Sequence, residues 1–188
     1  LLQTIIARLP ITDAILLSDY HAGMLTPALV DNIRQAASEH VLTADAQGEL
    51  SKYTGFTLVK CNADEARTYL GHDLQTDDDF GTAATNLCQQ LALTGAMVIT
   101  RGAAGTTVAT ATDNIIHAAA PSVIDVYDTV GAGDTTIAVL TLALVAGASY
   151  EDAATLANYA SGLVIRRVGN YAPTPDKLAQ AIEMWRDE

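Results

Sequence analysis

The segment Asp128-Thr129-Val130-Gly131-Ala132-Gly133-Asp134 sets two glycines around an alanine directly before a long apolar run. Small residues let backbone N–H groups come close to a ligand. The start of a helix adds free donors and a partial positive charge. Such a turn would bind an anion and stabilise charge growing on a transferring phosphoryl group. Asp134 stands beside it, where a carboxylate could accept a proton from an attacking hydroxyl. The competing reading is plainer: Gly131 and Gly133 make a tight turn, and Asp134 is a first-turn acid favoured by the helix dipole. The residues alone leave both open.

Three other segments offer chemistry. Thr100-Arg101-Gly102-Ala103-Ala104-Gly105 could wrap phosphates with backbone donors, or could simply turn the chain. Asn62-Ala63-Asp64-Glu65 has the spacing of a capping box, with Asn in the Ser/Thr place. The same two side chains could instead lie near a magnesium ion or its waters, since Mg²⁺ favours carboxylates and retained water. Asn158, inside the alanine-rich stretch Leu156-Ala157-Asn158-Tyr159-Ala160, needs a partner, either a nucleobase or an internal backbone group. Other constellations fail. There is no GxxxxGK[ST], the third glycine of GxGxxG is missing after Gly133, and no GxSxG occurs. His21, His40, His72 and His117 show no paired spacing.

These segments need elements to hold them. Short apolar runs at Ala14–Leu17, Val41–Ala44, Thr57–Cys61 and Met97–Thr100 read as buried parallel strands. Thr106–Ala111 and Asn114–Ala119 read as two strands joined by a turn at Thr112-Asp113. Thr26-Pro27 opens a helix to about His40, with proline at its first position. Further helices are expected over Asn62–Tyr69, over Asp78–Leu93, and from the glycine turn to Gly147. Another runs from the Ser149 cap to about Arg167, and a last one starts at Thr174-Pro175. The acidic run Asp77-Asp78-Asp79 reads as a solvated helix start. This alternation predicts an α/β fold with a mostly parallel sheet flanked by helices. In such sheets ligands bind at the carboxyl ends of strands, where loops enter helices.

Composition narrows the classes. The 188 residues suit one domain, 1–188, and a chain of this length buries enough surface to need no staple. Hydrophobic residues are 49% and charged residues 17%, which excludes a disordered chain. Ten basic against 22 acidic residues give a net charge of −12, so a nucleic-acid partner is not expected. Cys61 and Cys88 form no metal-binding spacing and read as reduced thiols of a cytoplasmic protein. The longest apolar run, Ile137–Gly147, is too short to span a bilayer, so no membrane partner is expected.

Taken in order, Asn62 with Glu65, then Thr100, Gly102 and Gly105, then Asp128 to Asp134, then Asn158 resemble the PfkB family of ribokinase-like carbohydrate kinases. The most specific match is VYDTVGAGDT, Val126 to Thr135. The stretch LLSDYHAGMLT, Leu16 to Thr26, is similar to the SDYxKGxLT segment of the heptose-phosphate kinase branch. The resemblance covers essentially the whole chain. It implies a ribokinase-like three-layer α/β/α fold and ATP-dependent phosphorylation of a sugar or sugar phosphate. Asp134 would be the base, and Gly131, Ala132 and Gly133 the anion hole for the γ-phosphate. Thr100, Gly102 and Gly105 would line the nucleotide, and Asn62 and Glu65 would work near Mg²⁺ and the phosphates. Asn158 and the segment Asn114–Val126 would lie by the adenine. Asp128, with Gly169, would serve a monovalent cation such as K⁺.

The family pattern is entered after its N-terminal segment, which carries a glycine pair, most sugar contacts and a β-lid. The resemblance therefore reads residues 1–188 as the nucleotide-binding and catalytic C-terminal part. Relatives often pair through that lid, which leaves a homodimer open. Two departures remove positive charge: Ala22 stands where the pattern has lysine in SDYxKG, and Asp45-Ala46-Gln47-Gly48 stands where it has DPKG. They keep a second reading in play, a catalytically weak nucleotide-binding module of the same fold acting through a partner.

Overall fold

Side chains along a strand alternate between its two faces. Here that alternation builds two cores on one sheet. In the computed structural model, which describes residues 1–123 and 125–185, six strands lie in chain order: β1 (Ala14–Asp19), β2 (Val41–Ala46), β3 (Leu58–Asn62), β4 (Ala96–Thr100), β5 (Thr106–Thr110) and β6 (Ile115–Ala118). Strands β1 to β4 are parallel, while β5 and β6 add antiparallel to β4 and to each other. The mostly parallel sheet is thus present, and so is the strand pair with its turn, where Asp113 takes a positive φ of 60°.

Val59, Cys61, Met97, Ile99 and Ala109 face one core. Their alternates Leu58, Ala96, Val98 and Val108 face the other. The first core is covered by α2 (Pro27–Ala36), α3 (Ala63–Leu70) and α4 (Asp77–Gln90), with the short α1 (Leu2–Ile6) packed on its margin. The second is covered by α5 (Ala132–Val145) and α6 (Tyr150–Val164), and α7 (Pro175–Trp185) lies against α6. Three layers result. Because β1 to β4 run the same way, their last residues, Asp19, Ala46, Asn62 and Thr100, meet along one rim.

Helix starts follow their caps. Thr26 accepts from the Leu29 N–H, Thr76 forms a capping box with Asp79, and Ser149 accepts from the Asp152 N–H. Helix ends fall earlier than the apolar pattern suggests. Helix α2 stops at Ala36 rather than His40, and α6 at Val164 rather than Arg167. Helix α4 stops at Gln90 because Ala92 adopts a positive φ of 47° and turns the chain towards β4. The acidic start of α4 is not wholly solvated, since Asp77 pairs with Arg101 at 2.5 Å. Cys61 and Cys88 are both free and buried. Among the described residues, no helix is long and apolar enough to cross a membrane.

Candidate active site

Gly131 takes a left-handed φ of 80° and caps α5 without any side-chain acceptor. The Ala132 N–H turns back to the Thr129 carbonyl at 3.3 Å, and Thr135 N–H closes the first helical bond to Gly131 at 2.9 Å. Among the described residues, that leaves the N–H groups of Gly133 and Asp134 without a protein acceptor. An anion at this turn would therefore meet Gly133 and Asp134 amides, one residue further along than the glycine-alanine-glycine pattern alone implies. Gly131, Gly133 and Asp134 all line an open cleft of about 970 Å³ at the strand rim.

Asp134 is exposed to this cleft. The Tyr20 hydroxyl, from the loop after β1, donates to both of its carboxylate oxygens at 2.5 and 2.6 Å, and Ser18 Oγ lies 3.4 Å away. This hydrogen bond is the main reason the Tyr20 phenol is held above its ordinary pKa. Tyr20 itself is pinned by its neighbour. Asp19 is buried and accepts from Tyr53 at 2.6 Å, from the His21 N–H at 2.9 Å and from Lys52. Lys52 also reaches the Leu25 carbonyl at 3.1 Å, so both ends of the loop are tied.

Asn62 and Glu65 line the same cleft and complete the capping box. Glu65 N–H donates to Asn62 Oδ1 at 2.9 Å, and Asn62 N–H donates to Glu65 Oε2 at 2.7 Å. Glu65 Oε1 stays unengaged among the described residues. Burial pushes the Glu65 carboxyl above its ordinary pKa, against the pull of the Asn62 N–H and of Lys60. Thr100 and Gly102 also line the cleft. Gly105 does not. Its φ is 84°, and a side chain there would lie 2.1 Å from the Ala118 carbonyl oxygen, so it serves the entry into β5.

Asn158 faces inward. It is 5% exposed, accepts from Thr106 Oγ1 at 2.6 Å, and donates to the Ala118 and Ala119 carbonyls at 2.9 and 3.1 Å. Of its two open roles the structure shows the internal one, tying α6 to the end of β6. Both of its amide hydrogens are spent on backbone carbonyls. The segment Asn114–Val126, expected to lie by the adenine, includes Ile124, which lies outside the described residues. Asp128 accepts from Val130 N–H at 3.0 Å and from Gly169 N–H at 2.9 Å. These bonds, the Gly169 one first, hold its carboxyl below the usual carboxylate pKa. Asp128 and Gly169 are thereby brought together. Among the described residues no group of three or more His, Cys, Asp or Glu could hold a metal by itself.

The sequence reading missed Lys60 and Asp45. They are register partners on β3 and β2, and Lys60 Nζ bonds both Asp45 oxygens at 2.9 and 3.0 Å. Both line the cleft although they are only 5% and 7% exposed. A lysine and an aspartate inside otherwise apolar strands were the available signal. Burial raises the Asp45 pKa, Lys60 lowers it in part, and Asp134 nearby adds to the rise.

The profile of the pfkB family carbohydrate kinases matches residues 21–177, which contain the cleft-lining residues from Asp45 to Asp134 but not Tyr20. The chain belongs to the pfkB family. Among curated relatives, the bifunctional protein HldE of Caulobacter vibrioides is 39% identical over 184 residues, 95% of this chain and 37% of that protein. HldE of Coxiella burnetii is 36% identical over 188 residues, 97% of this chain and 38% of that protein. The chain thus spans well under half the length of these relatives. The fold is ribokinase-like. Phosphofructokinase-2 from Escherichia coli in complex with potassium superposes with a TM-score of 0.83 at 20% identity, covering 98% of this chain and 62% of that one. Arabidopsis thaliana ribokinase complexed with ribose and ATP gives 0.82 at 18%, covering 97% and 58%.

Proposed function

We propose that residues 1–188 form the nucleotide-binding and phosphoryl-transferring part of a sugar kinase. The donor is Mg-ATP and the acceptor is a hydroxyl of a sugar or sugar phosphate, in the manner of the heptose-phosphate branch. One observation carries this reading: the Asp134 carboxylate stands beside the free Gly133 and Asp134 amides at the mouth of one cleft. The acceptor hydroxyl displaces the Tyr20 hydroxyl and donates to Asp134. Its oxygen forms a bond to the γ-phosphorus while the bond to the ADP oxygen breaks, and the proton passes to Asp134. The two amides meet the charge that grows on the γ-phosphoryl oxygens.

Asn62, Thr100 and Gly102 line the cleft and would flank the phosphates. Magnesium bound with ATP would neutralise phosphate charge, and Glu65, with Oε1 unengaged, would hold it through water. This fits an ion that keeps several waters and takes only one or two carboxylates from the protein. The Asp128–Gly169 junction would flank a monovalent cation such as K⁺.

Mg-ATP at 100 times its Kd should raise the unfolding midpoint by about 5–10 °C, given roughly 2.7 kcal/mol of linkage and the usual shift for a chain of this size. A midpoint unmoved by saturating Mg-ATP contradicts the proposal. A shift without any ADP release on a panel of sugars, measured on the complete gene product, favours the nucleotide-binding module instead.

A further inference from the structure

We infer that Lys60 is a γ-phosphate-binding residue of this cleft. The inference rests on the kinase reading above and deepens it. Against a net charge of −12, a site for a polyphosphate needs local positive charge. Gln47 lines the cleft but is neutral. Lys60 lines the same cleft from the adjacent strand.

Its position is specific. Lys60 lies directly beneath the first turn of α5. A side chain built on Gly133 would begin 3.1 Å from Lys60 Nζ and 3.7 Å from Asp45 Oδ2. The ammonium is thus nearer the Gly133 position than the carboxylate is. A lysine has three N–H donors. Two of the Lys60 bonds go to Asp45, and among the described residues no other acceptor meets the ammonium. Lys60 is also nearly excluded from water, where a hydrogen bond to a charged group strengthens. The missing side chain of Gly133 leaves the approach to Lys60 open.

A purely structural ion pair would affect folding but would not tell ATP from ADP. The γ-phosphate interaction does. Calorimetric titration of the chain with Mg-ATP and Mg-ADP reads the difference. Lys60→Met should weaken Mg-ATP about ten- to hundred-fold and leave Mg-ADP within roughly two-fold, the size expected for one lost charge-assisted bond. Adding Gln47→Lys to Lys60→Met should restore most of the preference for ATP. Because Lys60→Met leaves Asp45 buried and unpaired, Asp45→Asn/Lys60→Gln is measured beside it. That neutral pair keeps a hydrogen bond and should show the same selective loss. Wild-type binding of both nucleotides with an unchanged ATP-to-ADP ratio in the variants overturns the role of Lys60 alone. Failure of the wild type to bind either nucleotide overturns the kinase reading, and this inference with it.

Discussion

Asp134→Asn should lower the rate of sugar phosphorylation roughly 10²–10⁴-fold in the complete gene product while leaving Mg-ATP affinity nearly unchanged. The amide keeps the shape of the side chain and its contact with the Tyr20 hydroxyl. It cannot take up the proton of the incoming alcohol. The loss belongs in kcat more than in KM for ATP, because the base acts on the acceptor and only as the new bond forms. Steady-state rates of ADP release with the preferred sugar decide it. A variant as fast as wild type would remove Asp134 from the reaction. A variant that loses rate only because it no longer binds ATP would make Asp134 part of the nucleotide site instead.

Asp19→Ala should destabilise the fold by roughly 3–5 kcal/mol, read from the midpoint and slope of chemical unfolding. The reason is what it leaves behind. Lys52 and Tyr53 are both buried, and both lose the carboxylate they bond. The pH dependence follows with a defined sign. Burial pushes the Asp19 carboxyl up, but the bonds from Lys52, Tyr53 and His21 outweigh it and hold the pKa below its ordinary 3.8. A depressed carboxylate stabilises the fold above its unfolded-state pKa, and that gain is lost as pH falls through the folded-state value. The gap between wild type and Asp19→Asn should therefore be constant from pH 7 to about 5 and shrink below about pH 4. A gap that widens in acid would mean that Asp19 is held with a raised pKa. Because Asp19 also fixes the start of the Tyr20 loop, the Ala variant should loosen the cover on Asp134 as it loses stability.

Much of this was legible from local chemistry. Apolar runs marked β1 to β4 because buried parallel strands lack a polar face. Caps at Thr26, Asn62 and Ser149 marked helix starts, since a side-chain oxygen there satisfies a free N–H that nothing else nearby can. The glycine turn before α5 was visible for the same reason in reverse: no side chain caps it. Helix ends were harder. Nothing in the run from Gln90 to Leu93 announces the turn at Ala92, where the path into β4 holds an alanine at a positive φ.

Long-range pairings were not legible at all. Lys60 and Asp45 lie 15 residues apart and meet only through the parallel register of β2 and β3. Tyr20 and Asp134 are separated by 114 residues, and a tyrosine in a loop carries no mark of the carboxylate it will cover. Asn158 shows the converse. A buried amide needs partners, but which partners depends on where the end of β6 runs past α6.

The central claim is that the bare first turn of α5 holds the terminal phosphate of ATP. A crystal structure of the chain with magnesium and a non-hydrolysable ATP analogue tests it directly. The expected result is the terminal phosphate within hydrogen-bond distance of the Gly133 and Asp134 amides, on the Lys60 side of the cleft. A triphosphate bound elsewhere, with that turn touching only solvent, would contradict it.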